Sequence, residues 1–294
     1  MPERIAGVVN TLNEATNIRH CLGTLQWCDD LVVVDQHSVD DTPKVATEMG
    51  ARVFGHERTP GGVDGPAREF AVAQADADWV LVIDADEMVR PELEAYLRAE
   101  IATHPDTDVF MLPRANVIFG RQMLHGRNWP SRHVRFFRPG RVQLVDRIHH
   151  GIVPAPDARV RKVPARPELA IWHFSYPTIS ALVERIERYT TIEARQSLER
   201  RPRKVTTRFL VQKPAAWFFR TYLRDGGYRD GTAGLILAVS RTYYRFTLAA
   251  KMWEHARSEQ RARTVTAMKD AILASHGKVA ILASHGKVAE ADAP

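Results

Sequence analysis

Asp84, Asp86 and Glu87 stand together in Asp84-Ala85-Asp86-Glu87, directly after an apolar run at residues 79–83. Side chains alternate along extended backbone, so the two aspartates can project to one side at a strand's end. In an open α/β sheet the carboxyl ends of the strands are where ligands bind. Two carboxylates there repel each other unless a cation lies between them. A hard divalent ion, Mg2+ or Mn2+, held by oxygen ligands and completed by diphosphate oxygens, answers that repulsion. Alone, Asp-x-Asp is equally an acidic turn before a helix, with Glu87 favouring the helix N-terminus.

Three other segments fall at the same sheet edge. Val9-Asn10-Thr11-Leu12-Asn13-Glu14 closes the first apolar run, and Asp35-Gln36-His37-Ser38 follows the second. Gly65-Pro66-Ala67-Arg68 opens a helix before the acidic segment. In this order the motifs resemble the family 2 glycosyltransferases of GT-A fold, over residues 5–253. Within that family they are most similar to the bacterial branch containing the lipopolysaccharide-core β-1,4-glucosyltransferases. The resemblance implies that Thr11, Asn13 and Glu14 line a nucleotide pocket and that Asp35 lies by the base. Many relatives carry a second Asp where this chain has Gln36. Arg68 would face the nucleotide or its phosphates, where a planar fork suits bidentate recognition. Asp84 and Asp86 would hold the donor sugar and the metal–diphosphate. His173, in Ile171-Trp172-His173-Phe174, would close over the diphosphate or complete the metal shell; a buried core role is the alternative.

Asp146-Arg147-Ile148-His149-His150 matches a segment that ends in glutamate in this branch, a position held here by His150. The acceptor base is therefore sought among Asp146, His149 and His150. Residues 109–145 contain seven Arg and no acid, Arg132, Arg135 and Arg138 among them. Such a cluster can stabilise leaving-group charge or hold a phosphorylated acceptor, and Arg132 and Arg135 are the candidates.

The formal charge is +6, unevenly spread: residues 158–263 hold 22 Lys and Arg against nine Asp and Glu. Residues 200–224 contain eight basic residues and no acid. From Phe209 to Trp253, Trp217, Phe218, Phe219, Tyr222, Tyr243, Tyr244, Phe246 and Trp253 interleave with Arg220, Arg224, Arg241, Arg245 and Lys251. Aromatic anchors beside cations suit an anionic membrane surface. A helical cap with solvated arginines ranks second, and stacked nucleic acid third.

The elements that position these residues follow from periodicity. The chain has 294 residues, 45% hydrophobic and 26% charged, which excludes disorder and a disulfide-stapled miniprotein. Cys21 and Cys28 are too few for a disulfide framework or a thiolate zinc site. A cytoplasmic setting is expected, with a peripheral position on the inner membrane open, and no signal peptide or spanning segment is read. Strands at 5–10, 31–34, 51–56 and 79–83 alternate with helices at 16–26, through Val45 and Met49 after capping residues Ser38, Asp40 and Asp41, at 66–75 and from Pro91 to about 103. That rhythm indicates βαβ units. Strands at 109–112, 134–137 and 169–174 follow without helices between them. Helices from 178, at 206–223 and at 234–263 complete the chain. The expected fold is α/β: a GT-A, Rossmann-like mixed sheet with helices on both faces, then a C-terminal helical extension. The expected division is 1–176 catalytic, 177–263 helical, and 264–294 a tail repeating ILASHGKVA twice. The expected activity is metal-dependent, inverting sugar transfer from a nucleotide-diphosphate sugar, UDP favoured, to a glycan or lipid-linked acceptor. The alternatives are a non-catalytic basic protein that binds nucleic acid or membrane, and a sugar-nucleotidyltransferase.

Overall fold

Strands β1 (Ile5–Thr11), β2 (Asp30–Asp35) and β4 (Trp79–Asp84) are almost wholly apolar because both of their faces are covered. Alternate side chains enter opposite cores. Ile5, Val9, Val33, Leu81 and Ile83 face one layer, and Val8, Val32, Val34, Val80 and Val82 face the other. The first layer is closed by helices α1 (Ile18–Gly23), α2 (Thr42–Glu48) and α4 (Pro91–Thr103). Helix α3 (Gly65–Gln74), following β3 (Arg52–Gly55), closes the second. The computed structural model describes residues 3–58, 65–145, 151–200 and 205–289, with side chains described through 275.

The remaining strands are β5 (Glu87–Met88), β6 (Val109–Ile118), β7 (Arg121–Gln122), β8 (Ser131–Phe137), β9 (Val142–Leu144), β10 (Ile152–Pro154), β11 (Val160–Lys162) and β12 (Ile171–Phe174). The main sheet runs β3-β2-β1-β4-β8-β6-β12-β5, with β7 and β11 on β6, and β9 pairs β10 separately. β1, β2, β3 and β4 are parallel, whereas β8 lies antiparallel between β4 and β6. The sheet is therefore mixed. Trp79, Phe110 and Phe136, one from each of β4, β6 and β8, pack with ring centroids 4.7–5.6 Å apart.

Three expectations change. β6 continues past Leu112 to Ile118, because pairing with β8 and β12 carries it through Pro113 and Arg114, where the apolar run stops. Helix α5 (Ile179–Arg200) buries Leu182, Ile186, Thr190 and Ala194, while Ile179 and Val183 stay exposed. The spacing of Ile179, Leu182, Val183, Ile186 and Tyr189 predicts one face, and the buried stripe is rotated from it. The final helical stretch is two helices, α7 (Gly231–His255) and α8 (Ser258–Ala289), and α8 is exposed throughout residues 258–275. Helix α6 (Thr207–Phe218) precedes α7 and passes into a π-helical turn, Phe219–Arg224. α5, α6 and α7 share a small core of Ala194, Val205, Leu248 and Met252. Leu237 of α7 docks this bundle on Ile118 and Met123 beside the sheet.

Candidate active site

The carboxyl ends of β1, β2 and β4 open into a cleft of about 180 Å3 lined by Thr11, Glu14, Arg68, Asp84, Asp86 and His173, among others. Helix α5 folds back over this edge and adds Arg185, Arg188 and Tyr189. The two aspartates have different surroundings. Asp84 Oδ1 accepts from Arg68 Nη2 at 2.7 Å, and Asp84 Oδ2 accepts from Arg135 Nη2 at 2.7 Å. The same Arg135 nitrogen donates to Glu87 Oε1 at 3.0 Å, and Glu87 Oε2 accepts from the Asp84 backbone amide at 2.9 Å. Burial works to raise the Asp84 pKa, but Arg135 and Arg68 outweigh it and hold the carboxyl well below the usual range. Burial raises Glu87, which is fully buried, despite Arg135 beside it.

Asp86 instead faces His173, with Oδ2 3.3 Å from Nε2, and Arg185 3.9 Å away. His173 Nδ1 lies 3.1 Å from Asn116 Oδ1, while Asn116 Nδ2 donates to the Asn128 carbonyl at 3.0 Å. That amide orientation, assigned from the bonding network, puts the imidazole proton on Nδ1. The Nε2 lone pair then points at a carboxylate. Two electron-rich groups so placed call for a proton or a cation between them, and an Asp–His pair with a fixed second nitrogen is suitable metal-ligand chemistry. Among the described residues no cluster of three or more His, Cys, Asp or Glu forms a complete cation cage. A cation held by Asp86 and His173 would need substrate oxygens to finish its shell, as Mg2+ sites commonly do. Asp84, paired with two guanidinium groups, is placed to support rather than to ligate.

Sheet register aligns this chemistry. His173 of β12 lies opposite Asn116 of β6 and opposite Glu87 of β5, so the three occupy one rung across adjacent strands.

Of the other residues singled out from sequence, Asn13 and Asp35 shape the loops behind the cleft. Asn13 Oδ1 accepts from Val39 N at 2.9 Å, and the Asp35 carboxylate accepts from Ser38 N and Oγ at 2.9 and 2.5 Å. Glu14 accepts from Asn17 Nδ2 at 2.7 Å, and burial raises its pKa. Arg135 corrects an expectation: only 5% exposed, with its fork spent on Asp84 and Glu87, it braces the site and is not open to phosphate. Arg132 is not among the residues that line this cleft. Asp146, His149 and His150 lie outside the described residues. Sequence reasoning missed Arg114, Asn116, Arg185 and Arg188. The only local signal was the Arg185-x-x-Arg188-Tyr189 spacing on α5, which places cations one turn apart.

The C-terminal aromatics divide into two sets. Leu235, Val239, Tyr243, Phe246 and Trp253 are 40–52% exposed and follow one another at helical spacing along α7. Trp217 and Tyr244 turn inward, together with Arg241 and Arg245, which the sequence had grouped with outward-facing cations. No helix among the described residues is long and apolar enough to cross a membrane.

Comparison with known proteins agrees with this architecture. The model of Glycosyl transferase family 2 matches residues 8–155, half of the chain, and the chain belongs to that family. It is a glycosyltransferase, and its α/β sheet with C-terminal helices is the GT-A arrangement. A lipopolysaccharide core biosynthesis glycosyltransferase, LpsC of Rhizobium meliloti, is 26% identical over 85% of this chain and 92% of its own. Staphylococcus aureus TarS residues 1–349 align at 15% identity over 87% of this chain and 92% of theirs, with TM-score 0.44. Glucosyl-3-phosphoglycerate synthase from Mycobacterium tuberculosis, solved with Mn2+ and UDP-glucose, aligns at 26% identity over 37% and 42%, with TM-score 0.33. Family membership sets aside the non-catalytic and nucleotidyltransferase alternatives.

Proposed function

We propose that this glycosyltransferase moves a sugar, with inversion, from a nucleotide-diphosphate donor, a UDP-sugar in the first instance, to a glycan or lipid-linked acceptor of the cell envelope. The observation that carries the reading is the Asp86–His173 pair, 3.3 Å apart at the end of β4, in a cleft that Arg185 and Arg188 flank. Asp86 and His173 would hold Mg2+ or Mn2+. A divalent ion bound there would neutralise the leaving diphosphate as Lewis acid and template. Arg185 and Arg188 would meet the charge that grows on the same leaving group. Asp84, kept ionised by Arg68 and Arg135, would accept hydrogen bonds from donor hydroxyls. Asp146, His149 or His150 would take the acceptor proton as its oxygen attacks the anomeric carbon in line. The envelope assignment draws on the relative's name, and the exposed α7 stripe supports docking on an anionic membrane at the cytoplasmic face.

The test is donor turnover across a panel of nucleotide sugars, with and without chelator. Turnover of one donor that requires Mg2+ or Mn2+ and falls at least a hundredfold in Asp86→Asn is the expected result. Chelator-insensitive turnover that Asp86→Asn leaves intact would overturn the reading.

A further inference from the structure

Behind the donor cleft lies a second chamber of about 250 Å3, walled by β6 and β12 on one side and by α5 and α7 on the other. His173, Arg185 and Tyr189 line both spaces, so the two open onto the same atoms. Five arginines line the chamber, Arg114, Arg127, Arg185, Arg241 and Arg245, and no Asp or Glu is among its described lining residues.

The charge balance of three of these arginines is incomplete. Arg241 Nη1 donates to the Gly126 carbonyl at 2.9 Å, and Nη2 donates to Asn128 Oδ1 at 2.7 Å; both acceptors are neutral. Burial, and then the charges of Arg127 and Arg114, push its pKa down. Arg114 has only a loose 3.6 Å pair with Glu87, whose carboxylate already serves Arg135 and the Asp84 amide, and its Nε has no hydrogen-bond partner among the described residues. Arg127 is exposed, with no hydrogen bond or ion pair among the described residues. His133, close by, is pushed down to about 2 by burial and then by Arg114 and Arg135. A buried cation without a counter-charge is costly, and the cost is recovered when an anion arrives.

The backbone that carries Arg127 is also held in place before any ligand comes. Asp230, 3% exposed, accepts from Leu124 N at 3.3 Å, His125 N at 2.9 Å and His125 Nδ1 at 2.9 Å, which ties the loop before Arg127 to the start of α7. Arg127 itself sits at φ +69°, a left-handed conformation that a non-glycine residue adopts only when its surroundings impose it.

We propose that this chamber seats the acceptor by an anionic substituent, a phosphate or a carboxylate on a sugar, between Arg114, Arg127 and Arg241, so that the sugar's hydroxyl reaches the His173–Asp86 end. Guanidinium forks match both anions in bidentate geometry. Tyr176, Tyr189 and Trp217, which line the same space, supply faces for the sugar ring. The assignment rests on the donor occupying the neighbouring cleft, but its test needs no catalysis.

Tryptophan fluorescence reads occupancy, because Trp217 lies in the wall. With UDP and Mg2+ present to fill the donor cleft, the enzyme is titrated with glucose, glucose 6-phosphate and glucuronic acid. At least one anionic sugar is expected to half-saturate the signal at a concentration at least tenfold below that of glucose, and the better of the two identifies the anion. Arg127→Ala and Arg241→Gln should each weaken that ligand at least tenfold, and Trp217→Phe should abolish the signal. Arg127 is exposed, so its variant tests the site even if Arg241→Gln fails to fold. Equal half-saturation by glucose and both anionic sugars would overturn the proposal, as would unchanged binding in Arg127→Ala or a signal that survives Trp217→Phe. Failure here, with Asp86-dependent donor turnover intact, removes the acceptor assignment alone; loss of that turnover with binding intact removes the donor reading instead.

Discussion

His173 Nε2 and Asp86 Oδ2 face each other across 3.3 Å, with the opposite imidazole nitrogen fixed by Asn116 at 3.1 Å. Outer groups that orient a ligating histidine typically contribute 10–100-fold in metal affinity. Asn116→Ala is therefore expected to raise the Mn2+ concentration for half-maximal turnover by roughly 10–100-fold while saturating Mn2+ restores most of the rate. Metal-dependence curves for wild type and variant check this, and an unchanged curve would leave His173 without a ligand role.

Arg135 carries a stability prediction. Replacing it by Met leaves Asp84 and the fully buried Glu87 facing each other without their shared guanidinium. Breaking a buried ion pair by removing one member costs about 3–5 kcal/mol. Urea denaturation near neutral pH should show a loss of that order, and a loss under about 1 kcal/mol would mean that Arg68 compensates.

The same carboxylates set an acid limb. Asp84 is depressed, so its contribution is complete above the ordinary aspartate value of about 4 and is lost as pH falls through the depressed value. Glu87 is raised by burial, so its contribution has the opposite sign: present at low pH and lost as pH rises through the raised value. Asp84→Asn should therefore lose less stability than wild type between about pH 4 and pH 2. Denaturation midpoints across that range decide it, and parallel acid limbs would contradict the assignment.

The outward stripe of α7 can be tested on vesicles. Leu235, Val239, Tyr243, Phe246 and Trp253 share one exposed face, and Arg220 and Arg224 of the preceding π-helical turn are exposed as well. Each cation near an anionic leaflet contributes about 1 kcal/mol, so binding should rise with anionic lipid and fall with salt. Replacing Tyr243, Phe246 and Trp253 together by Ser should reduce sedimentation with phosphatidylserine vesicles severalfold. Equal partitioning onto neutral and anionic vesicles would contradict the electrostatic part.

Helix α8 gives a contrasting expectation. Residues 258–275 are exposed throughout, so substitutions along this stretch lose little packing. Met268→Ser or Leu273→Ser should change unfolding stability by less than about 0.5 kcal/mol, the usual range for surface changes. A larger loss on urea denaturation would reveal a supporting role.

The parallel strands were legible because their apolar runs are local and bounded by turn residues. Asp84 and Asp86 were legible because a strand end fixes where they lie. The partners were not. Asn116 became visible only once β6 was seen to run on through Pro113, which depends on pairing with strands 17 and more residues away. Arg185 and Arg241 reach the site because α5 and α7 fold back over the sheet, a tertiary choice that helical periodicity alone leaves open. Arg135 was found by residue type, yet its role turned on two carboxylates far away in sequence. Asp146, His149 and His150 were legible only by resemblance.

The rung joining Glu87, His173 and Asn116 has a consequence for how such a chain can change. Strand side chains alternate with period two, so a slip of one residue exchanges the faces of an entire strand. A single insertion within β12 would send His173 away from Asp86 and put Trp172 or Phe174 in its place, while backbone pairing to β6 could still form. Insertions in the surface loops leave the rung untouched. Loop length is thus free to change while the register among β5, β6 and β12 is fixed, and grafting new specificities should succeed at the loops and fail at the strands.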